Sequence, residues 1–311
     1  MNAGNAVVVG AGISGLTTAW ALARDGWRVR LVAREPSLAS TSALAAAVWF
    51  PTRVGPRDLV LRWGAATYAA FADQARAGVP GVVMRESLAV YRAEPEPPWW
   101  ADVVGGVRPA APGELPAGYR HGLRFVVPLV EMPRYLPWLQ ARFEAAGGTV
   151  TPGTVASLAE VAADLVVNCT GLGARELVDD PAVVPVRGQI VRVANPGLSM
   201  SVRDEEHPAG RAYVHPRQTD CILGGTLDEG SWDTTPDPDT ARSIIRRCTD
   251  LVPALARAEV LEHVVGLRPG RPRVRLERDP GWPGLIHNYG HGGAGITLCW
   301  GCAEGVVALT R

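Results

Sequence analysis

Near the C-terminus the chain reads "IHNYGHGGAGITLCWGCA" (Ile286 to Ala303), with Gly290, Gly292, Gly293 and Gly295 falling within six residues. Glycine admits positive φ and lets other atoms approach the backbone, so this segment is either a packed turn or a surface against which something lies. At the other end "GAGISG" sets Gly10, Gly12 and Gly15 in the pattern G-x-G-x-x-G, with Ala11, Ile13 and Ser14 between and around them. In such a loop the first glycine makes the turn and the second lets a pyrophosphate reach the backbone. The third lets helix and strand pack. Between the two ends "HVVGLRPGRPRVRLERD" carries Arg268, Arg271, Arg273, Arg275 and Arg278. One of these held in a pocket would clamp a carboxylate in bidentate fashion, and the others need solvent or acidic partners. His287 and His291 are four apart, but the glycine between them forbids a regular helix, so no zinc site is expected. Cys299 and Cys302 have redox-motif spacing, yet without a second pair they read as a packed helix start.

The elements around the first glycine loop give it meaning. "AVVV" (6–9) is a short β-branched strand, "LTTAWALARDG" a helix, and "WRVRLVARE" a second strand. The motif therefore sits in a β-α-β unit, where free N–H groups and the helix dipole hold phosphates. Glu35, just past the second strand, is the candidate ribose-binding acid, and Arg34 could contact the adenosine ribose or phosphate instead. Ser40, Thr41 and Ser42 form a hydroxyl cluster followed by small residues up to Val48 and Trp49. Such residues either admit a planar ring near the backbone or form a surface loop. The glycine loop alone leaves NAD and FAD open.

Further along, residues 57–78 have helical periodicity, and residues 94–118 are loop-rich. A strand and turn precede a helix with Pro137 in its first turn, where proline is tolerated. "ADLVVNCTG" (163–171) is a buried strand ending at Thr170, either at a cofactor or in a plain turn. Its Asn-Cys-Thr acceptor pattern is discounted because it follows an apolar strand. "RGQIVRV" (187–193) reads as an exposed strand. Residues 210–227 form a hairpin with Tyr213 and His215 on one face, and a helix follows with Ile244, Ile245 and Leu251 inward.

Length and composition set the class. The 311 residues suit one large domain or two interleaved ones. Thirty-one basic and 31 acidic residues cancel, which disfavours general nucleic-acid or membrane-surface binding. Every basic residue among the 31 is arginine, so no lysine Schiff base can form. No apolar run long enough for a transmembrane helix is expected. The start has no basic region ahead of its apolar stretch, and the end lacks a peroxisomal tail. Five scattered cysteines fit a reduced interior, so the expected location is the cytoplasm.

With these pieces in order, the chain resembles the D-amino-acid oxidase family of FAD-dependent oxidases. The resemblance rests on "VVVGAGISGLTTA", "AAAVWFP", "VVNCTG", "RGQI", "AYVHP", "GLRPGRPRVRLER" and "HNYGHGGAGITLCWGCA", in the family's order and over nearly the whole chain. It implies an α/β (α+β mixed) fold. A Rossmann-type FAD-binding domain (1–50, 133–186, 262–311) would interleave with a β-sheet-rich substrate-binding domain (51–132, 187–261). It implies that Gly292, Gly293, Gly295, Ile296 and Thr297 wrap the flavin ring. Arg34, Glu35, Ser40, Thr41, Ser42, Val48, Trp49, Val155 and Thr170 fall at FAD-contacting positions. Arg268 matches the arginine that clamps the substrate carboxylate, Tyr213 the tyrosine that also holds it, and Gly293 the carbonyl that accepts from the amine. No residue is implied as acid or base, since the α-hydrogen leaves as hydride to flavin N5.

The implied reaction turns a D-amino acid and oxygen into a 2-oxo acid, ammonia and hydrogen peroxide, and the expected assembly is a homodimer. The chain departs from the family pattern at Ala209 and Thr52, where tyrosines stand, and at Phe50, Ala294, His215 and Cys299. With Val48, Phe50 and Ala209 apolar, the expected substrates are neutral, aliphatic or aromatic. The alternatives are a D-aspartate or D-glutamate oxidase, a glycine/sarcosine-type oxidase, or a quinone-linked dehydrogenase.

Overall fold

The computed structural model describes residues 4–51 and 54–311; Thr52 lies outside them. Its first half runs β1 (Asn5–Val9), α1 (Ile13–Arg24), β2 (Arg28–Ala33), α2 (Arg57–Arg76), β3 (Val82–Tyr91), α3 (Ala101–Val104), β4 (Arg108–Pro109), β5 (His121–Val130), α4 (Met132–Ala145), β6 (Thr149–Pro152), β7 (Leu165–Asn168) and α5 (Ala174–Leu177). The second half runs β8 (Val184–Ala194), β9 (Ser201–Asp204), β10 (Ala212–Pro216), β11 (Asp220–Gly224), β12 (Asp228–Glu229), α6 (Pro238–Leu251), β13 (Val260–Gly270), β14 (Arg275–Arg278), β15 (Leu285–Tyr289) and α7 (Gly295–Leu309). The described chain divides into unit 1 (1–82, 130–186, 268–311) and unit 2 (83–129, 187–267).

Unit 1 contains a six-stranded sheet in the order β14-β15-β7-β1-β2-β6. All neighbours are parallel except β14 and β15. The central strands β1 (NAVVV) and β7 (LVVN) are nearly continuous apolar runs, as buried parallel strands are, whereas β2 and β6 toward the edge carry exposed residues. Val8, Leu31, Val166, Val167 and Ile286 are wholly or almost wholly buried. The Gly-x-Gly turn works as its spacing demands. Gly10 has φ +110°, and a Cβ on Gly15 would stand 1.8 Å from the Gly10 carbonyl oxygen. Only a hydrogen at Gly15 lets α1 start this close to the turn.

Residues 54–82 and 130–132, expected in the substrate-binding part, sit in unit 1 instead. For the first stretch the reason is a tight crossing of α2 and α7. A Cβ on Gly301 would lie 2.2 Å from the Trp63 carbonyl oxygen, and Gly301 N–H donates to Thr67 Oγ1 at 2.9 Å. Residues 262–267, expected with the first part, belong to unit 2. The segment Gly292–Leu309, which includes α7, is long and apolar enough by composition to cross a membrane, contrary to the expectation from sequence. In unit 1 it is packed against α1, α2, β14 and β15, with Leu298, Cys299, Cys302 and Ala303 fully buried. Helix α4 also starts earlier than expected, at Met132, so Pro137 lies in its interior. Pro133 takes the tolerated first-turn position, and the bond lost at Pro137 is the one to Pro133's carbonyl.

Unit 2 is built on a second sheet in the order β12-β8-β11-β10-β9-β3-β5-β4, with β13 pairing β8. The expected hairpin is β10–β11, with Tyr213 opposite Gly224 and His215 opposite Ile222. Helix α6 lies on β9, β10 and β11 and buries Ile244, Cys248 and Leu251, with Ile245 only partly covered. Strand β8 is not exposed as "RGQIVRV" suggested. Arg187 donates to the carbonyls of Asp233 (2.8 Å) and Thr235 (2.7 Å), and Gln189 donates to that of Asp237 (2.7 Å). The 228–237 segment is thereby drawn over both side chains, and a polar alternation is buried by hydrogen bonding.

Candidate cofactor and substrate site

The residues expected to touch a cofactor converge on one edge of the unit 1 sheet. The glycine turn Gly10–Gly15 follows β1, and Arg34 and Glu35 follow β2. Val155 follows β6, Thr170 follows β7, and the run Gly290–Gly295 follows β15. These strands are mutually parallel, so all five segments leave their carboxyl ends on the same side, which is where ligands sit in open α/β sheets. Segments from opposite ends of the sequence are gathered by strand order alone.

Locally, two helix N-termini face this edge without a cap. Neither α1 nor α7 has a side-chain cap or an acidic residue in its first turn. Their N–H groups and positive dipole ends are therefore available to an anionic or electron-rich group. At α1 one N–H is engaged: Ile13 donates to Ser42 Oγ at 3.0 Å. That places the half-buried Ser42, one of the expected contacts, beside Gly12. Thr170 is fixed by Asn168, whose Oδ1 accepts from Thr170 N–H (3.2 Å) and Oγ1 (2.7 Å). Asn168 Nδ2 is buried without a hydrogen-bond partner among the described residues. Arg34 and Glu35 pair with each other at 3.3 Å and are exposed.

Gly292 has φ +53°, and a Cβ there would meet no atom within 4 Å, so its face is open. Thr297 exchanges hydrogen bonds with the Phe50 backbone at 3.0 and 3.2 Å, fixing the 47–50 segment against α7. Trp49 uses its side chain in the core, its indole N–H donating to the Gly64 carbonyl at 3.0 Å, so its ring is not offered to a ligand. Ile13 and Ile296 are likewise buried. An open glycine face, two uncapped helix ends, hydroxyls at Ser42 and Thr170 and a buried amide without a partner fit a dinucleotide with an extended planar ring.

His291, absent from the expected contacts, is a further part of this edge. It is buried between Gly290 and Gly292, both at positive φ, and its Nδ1 lies 3.4 Å from Ser14 Oγ. Burial pushes its pKa down to about 4, so it is neutral near pH 7. His287 bonds Asp279 at 3.0 Å instead, so the two histidines have different partners. Cys299 and Cys302 are buried in α7, and burial pushes both thiols up, out of the reactive range.

The arginine-rich stretch sorts itself by partner. Arg271 bonds Asp180 at 2.9 Å, and Arg275 bonds Glu277 and the Tyr289 hydroxyl, each at 2.8 Å. Arg278 donates to the carbonyls of Pro283 and Leu309, and Arg273 is exposed. Arg268 is half-buried and stands against the C-terminal glycine run: a Cβ on Gly293 would lie 3.5 Å from its Cδ.

In unit 2, Tyr213 and His215 stack at 4.8 Å between ring centres. Burial, with the nearby Arg203 charge second, pushes the His215 pKa well down and keeps the ring neutral. Arg203 escaped the reading of the sequence. It is 4% exposed and is the direct cross-strand neighbour of Tyr213, on the same sheet face, with Glu205 at 3.9 Å. Of the other arginines nearby, Arg211 pairs with Glu205 and Arg217 with Asp220. With His215 neutral, a buried cation beside Tyr213 is thus Arg203. Its signal in the sequence was faint: register between two strands decides it, and the "SVRD" strand carries no motif of its own.

Residues 5–309 match the family described as FAD dependent oxidoreductase. A D-amino-acid oxidase from Rubrobacter xylanophilus is 54% identical over 309 residues, covering 98% of this chain and 95% of that protein. A human D-aspartate oxidase is 36% identical, covering 97% and 93%. Among solved structures, a glycine oxidase from Geobacillus kaustophilus has a TM-score of 0.81 over 99% of this chain and 95% of its own, at 20% identity. At that identity the likeness speaks for the fold alone.

Proposed function

The chain belongs to the FAD-dependent oxidoreductase family, and we propose that it oxidises D-amino acids to imino acids with dioxygen as acceptor. The imino acid then hydrolyses to a 2-oxo acid and ammonia, and dioxygen leaves as hydrogen peroxide. One observation carries this reading: the cofactor edge of unit 1 ends at Gly293, with the Arg268 guanidinium stem beside it. A carboxylate clamp next to a flavin cradle suits an amino-acid substrate. The relatives named for D-amino-acid and D-aspartate oxidation support it.

FAD, when bound, supplies the two-electron acceptor and the reaction with dioxygen. The chain's own residues bind and orient. Arg268 holds the substrate carboxylate through its planar fork, and the Gly293 carbonyl accepts from the amine. Two fixed points on the substrate select one face of Cα, and with it the D configuration. Tyr213 is the residue to which the resemblance assigns a second hydrogen bond to the carboxylate. No acid or base is required of the protein, so catalysis is largely orientation.

Neutral side chains are the first expectation for the substrate, from Val48 and Phe50. A second reading, an acidic D-amino acid, is favoured by buried Arg203 beside Tyr213, since a buried cation welcomes a second carboxylate. A cytoplasmic location and a homodimer go with the reading; the five cysteines are free thiols. Cell fractionation and light scattering test these two points.

The deciding experiment is a panel of D- and L-amino acids, glycine and N-methylglycine under air, scoring peroxide. Peroxide from D-amino acids alone supports the proposal. Preference for L-amino acids, glycine or N-methylglycine overturns it. Flavin bleaching with D-amino acids but no peroxide would indicate a quinone-linked dehydrogenase, and no bleaching a non-catalytic flavoprotein.

A further inference from the structure

Helix α6 carries a buried cation that the reaction above does not use. Arg247 is 4% exposed. Its hydrogen bonds go to backbone carbonyls and one hydroxyl rather than to a carboxylate: the carbonyls of Arg211, Ala209 (3.5 Å) and Gly225 (3.1 Å), and Ser243 Oγ (3.2 Å). A buried guanidinium without a carboxylate is costly, and methionine or leucine would cover the same sheet face at less cost. What the arginine adds is a fork that reaches two separate backbone segments at once.

Those segments flank Tyr213. Ala209 and Arg211 lie just before β10, and Gly225 just after β11, in the hairpin where Tyr213 pairs with Gly224. The phenol end of Tyr213 lies where side chains at the two glycines would otherwise be. A Cβ on Gly224 would come within 2.0 Å of Tyr213 Cζ, and one on Gly225 within 2.7 Å of Tyr213 Oη. The neighbouring Cys248 adds two contacts from the same helical turn, its Sγ lying 3.4 Å from the Tyr213 carbonyl and 3.7 Å from that of Gly224. One turn of α6 therefore holds both strands at the register of Tyr213.

We propose that Arg247 is a positioning residue: by tying Ala209–Arg211 to Gly225 it fixes the glycine slot that seats the Tyr213 phenol, and so sets where its hydroxyl meets the substrate carboxylate. This rests on the role given to Tyr213 in the proposed function. Misplacement by about 1 Å of a group that orients substrate can cost on the order of a hundredfold. Arg247→Met, which keeps the stem and loses the fork, is expected to raise KM roughly ten- to a hundredfold with a smaller change in kcat.

The test is a double-mutant cycle on the FAD-loaded enzyme, with Arg247→Met, Tyr213→Phe and both together, reading kcat and KM for D-methionine under air. If Arg247 acts through Tyr213, the double variant is no worse than Tyr213→Phe alone, within about twofold. Losses that multiply, or an unchanged KM in Arg247→Met, overturn the proposal. Arg247→Lys keeps the charge without the fork; full rescue by it would also overturn the proposal. A second readout does not depend on turnover: the Tyr213 signal in a protein labelled at tyrosine Cζ, assigned with Tyr213→Phe, must shift in Arg247→Met. A shift in Arg247→Met, together with a wild type that turns over no D-amino acid, upholds the slot and sinks only the proposed function. Should Arg247→Met fail to fold, Arg247→Lys, which also loses the fork, must move the same signal, and an unmoved signal overturns the proposal.

Discussion

Replacing Gly12 by alanine separates the cost of the cradle from the cost of its ligand. Gly12 is the N-cap of α1 with φ −70° and ψ 179°, a conformation open to alanine. Its added Cβ would meet only Ser42 Oγ, at 3.1 Å, which has to give by only a few tenths of an ångström and can keep its bond from Ile13 N–H. Alanine is a poorer N-cap than glycine by about 0.5–1 kcal/mol, and a stiffer unfolded chain returns about 0.4–1 kcal/mol. The apoprotein should therefore melt within roughly 4 °C of wild type. The cofactor meets a different situation, because the methyl occupies the approach of the pyrophosphate to the α1 N–H groups. Losing two hydrogen bonds to charged oxygens, at about 1.5–3 kcal/mol each, weakens FAD by about 3–6 kcal/mol, or roughly 10²- to 10⁴-fold. The assay is flavin absorbance per protein after purification, a titration of apoprotein with FAD, and a melt of the apoprotein. FAD affinity within threefold of wild type would refute the placement of the pyrophosphate at Gly12. Gly15→Ala is the contrast: its Cβ would sit 1.8 Å from the Gly10 carbonyl oxygen, a backbone clash that should lower the melting point of the apoprotein itself.

Arg268→Ala should keep FAD and lose about 2–4 kcal/mol of transition-state binding, a thirty- to thousandfold fall in kcat/KM for a D-amino acid by roughly 1.4 kcal/mol per decade; wild-type kinetics would remove Arg268 from the site. Burial holds His291 at a pKa of about 4, against about 6.5 in the unfolded chain. Between those values the unfolded chain binds a proton that the folded one does not, so stability falls as pH drops through this window, by about 3 kcal/mol in all. His291→Gln should therefore narrow the gap between apoprotein melting points at pH 7 and pH 5, and an unchanged gap contradicts the assignment. His215 and His287 are shifted in the same direction by burial, so the gap should shrink rather than vanish. Arg203→Met should cut kcat/KM for D-aspartate more than tenfold and that for D-methionine less than threefold if Arg203 reads the side chain; equal losses on both substrates would refute that role.

The glycine turns at the candidate cofactor edge were legible from sequence because their requirements are local. A turn at positive φ, a helix start that tolerates no Cβ and a second glycine run each need particular residues at fixed spacing, and Gly10, Gly15 and Gly292 satisfy those needs within a few residues of chain. The β10–β11 hairpin was legible for the same reason, since alternation and a short polar turn fix its register nearby. Tertiary structure alone decided the rest. Helix α2 joined unit 1 because Gly301 admits the Trp63 backbone, a contact between distant parts of the sequence that neither segment announces. Pro137 lies inside a helix because Pro133 already occupies the first turn. Arg203, Arg247 and His291 looked like any surface arginine or loop histidine, and each became a buried group only when strand pairing or helix packing closed over it. Burial is a property of what the rest of the chain places on top of a residue, and for a charged side chain the sequence around it holds little record of that. For Arg247 the cost of desolvating the charge is met by carbonyls brought in from Ala209, Arg211 and Gly225, so its role becomes visible only after those segments have met.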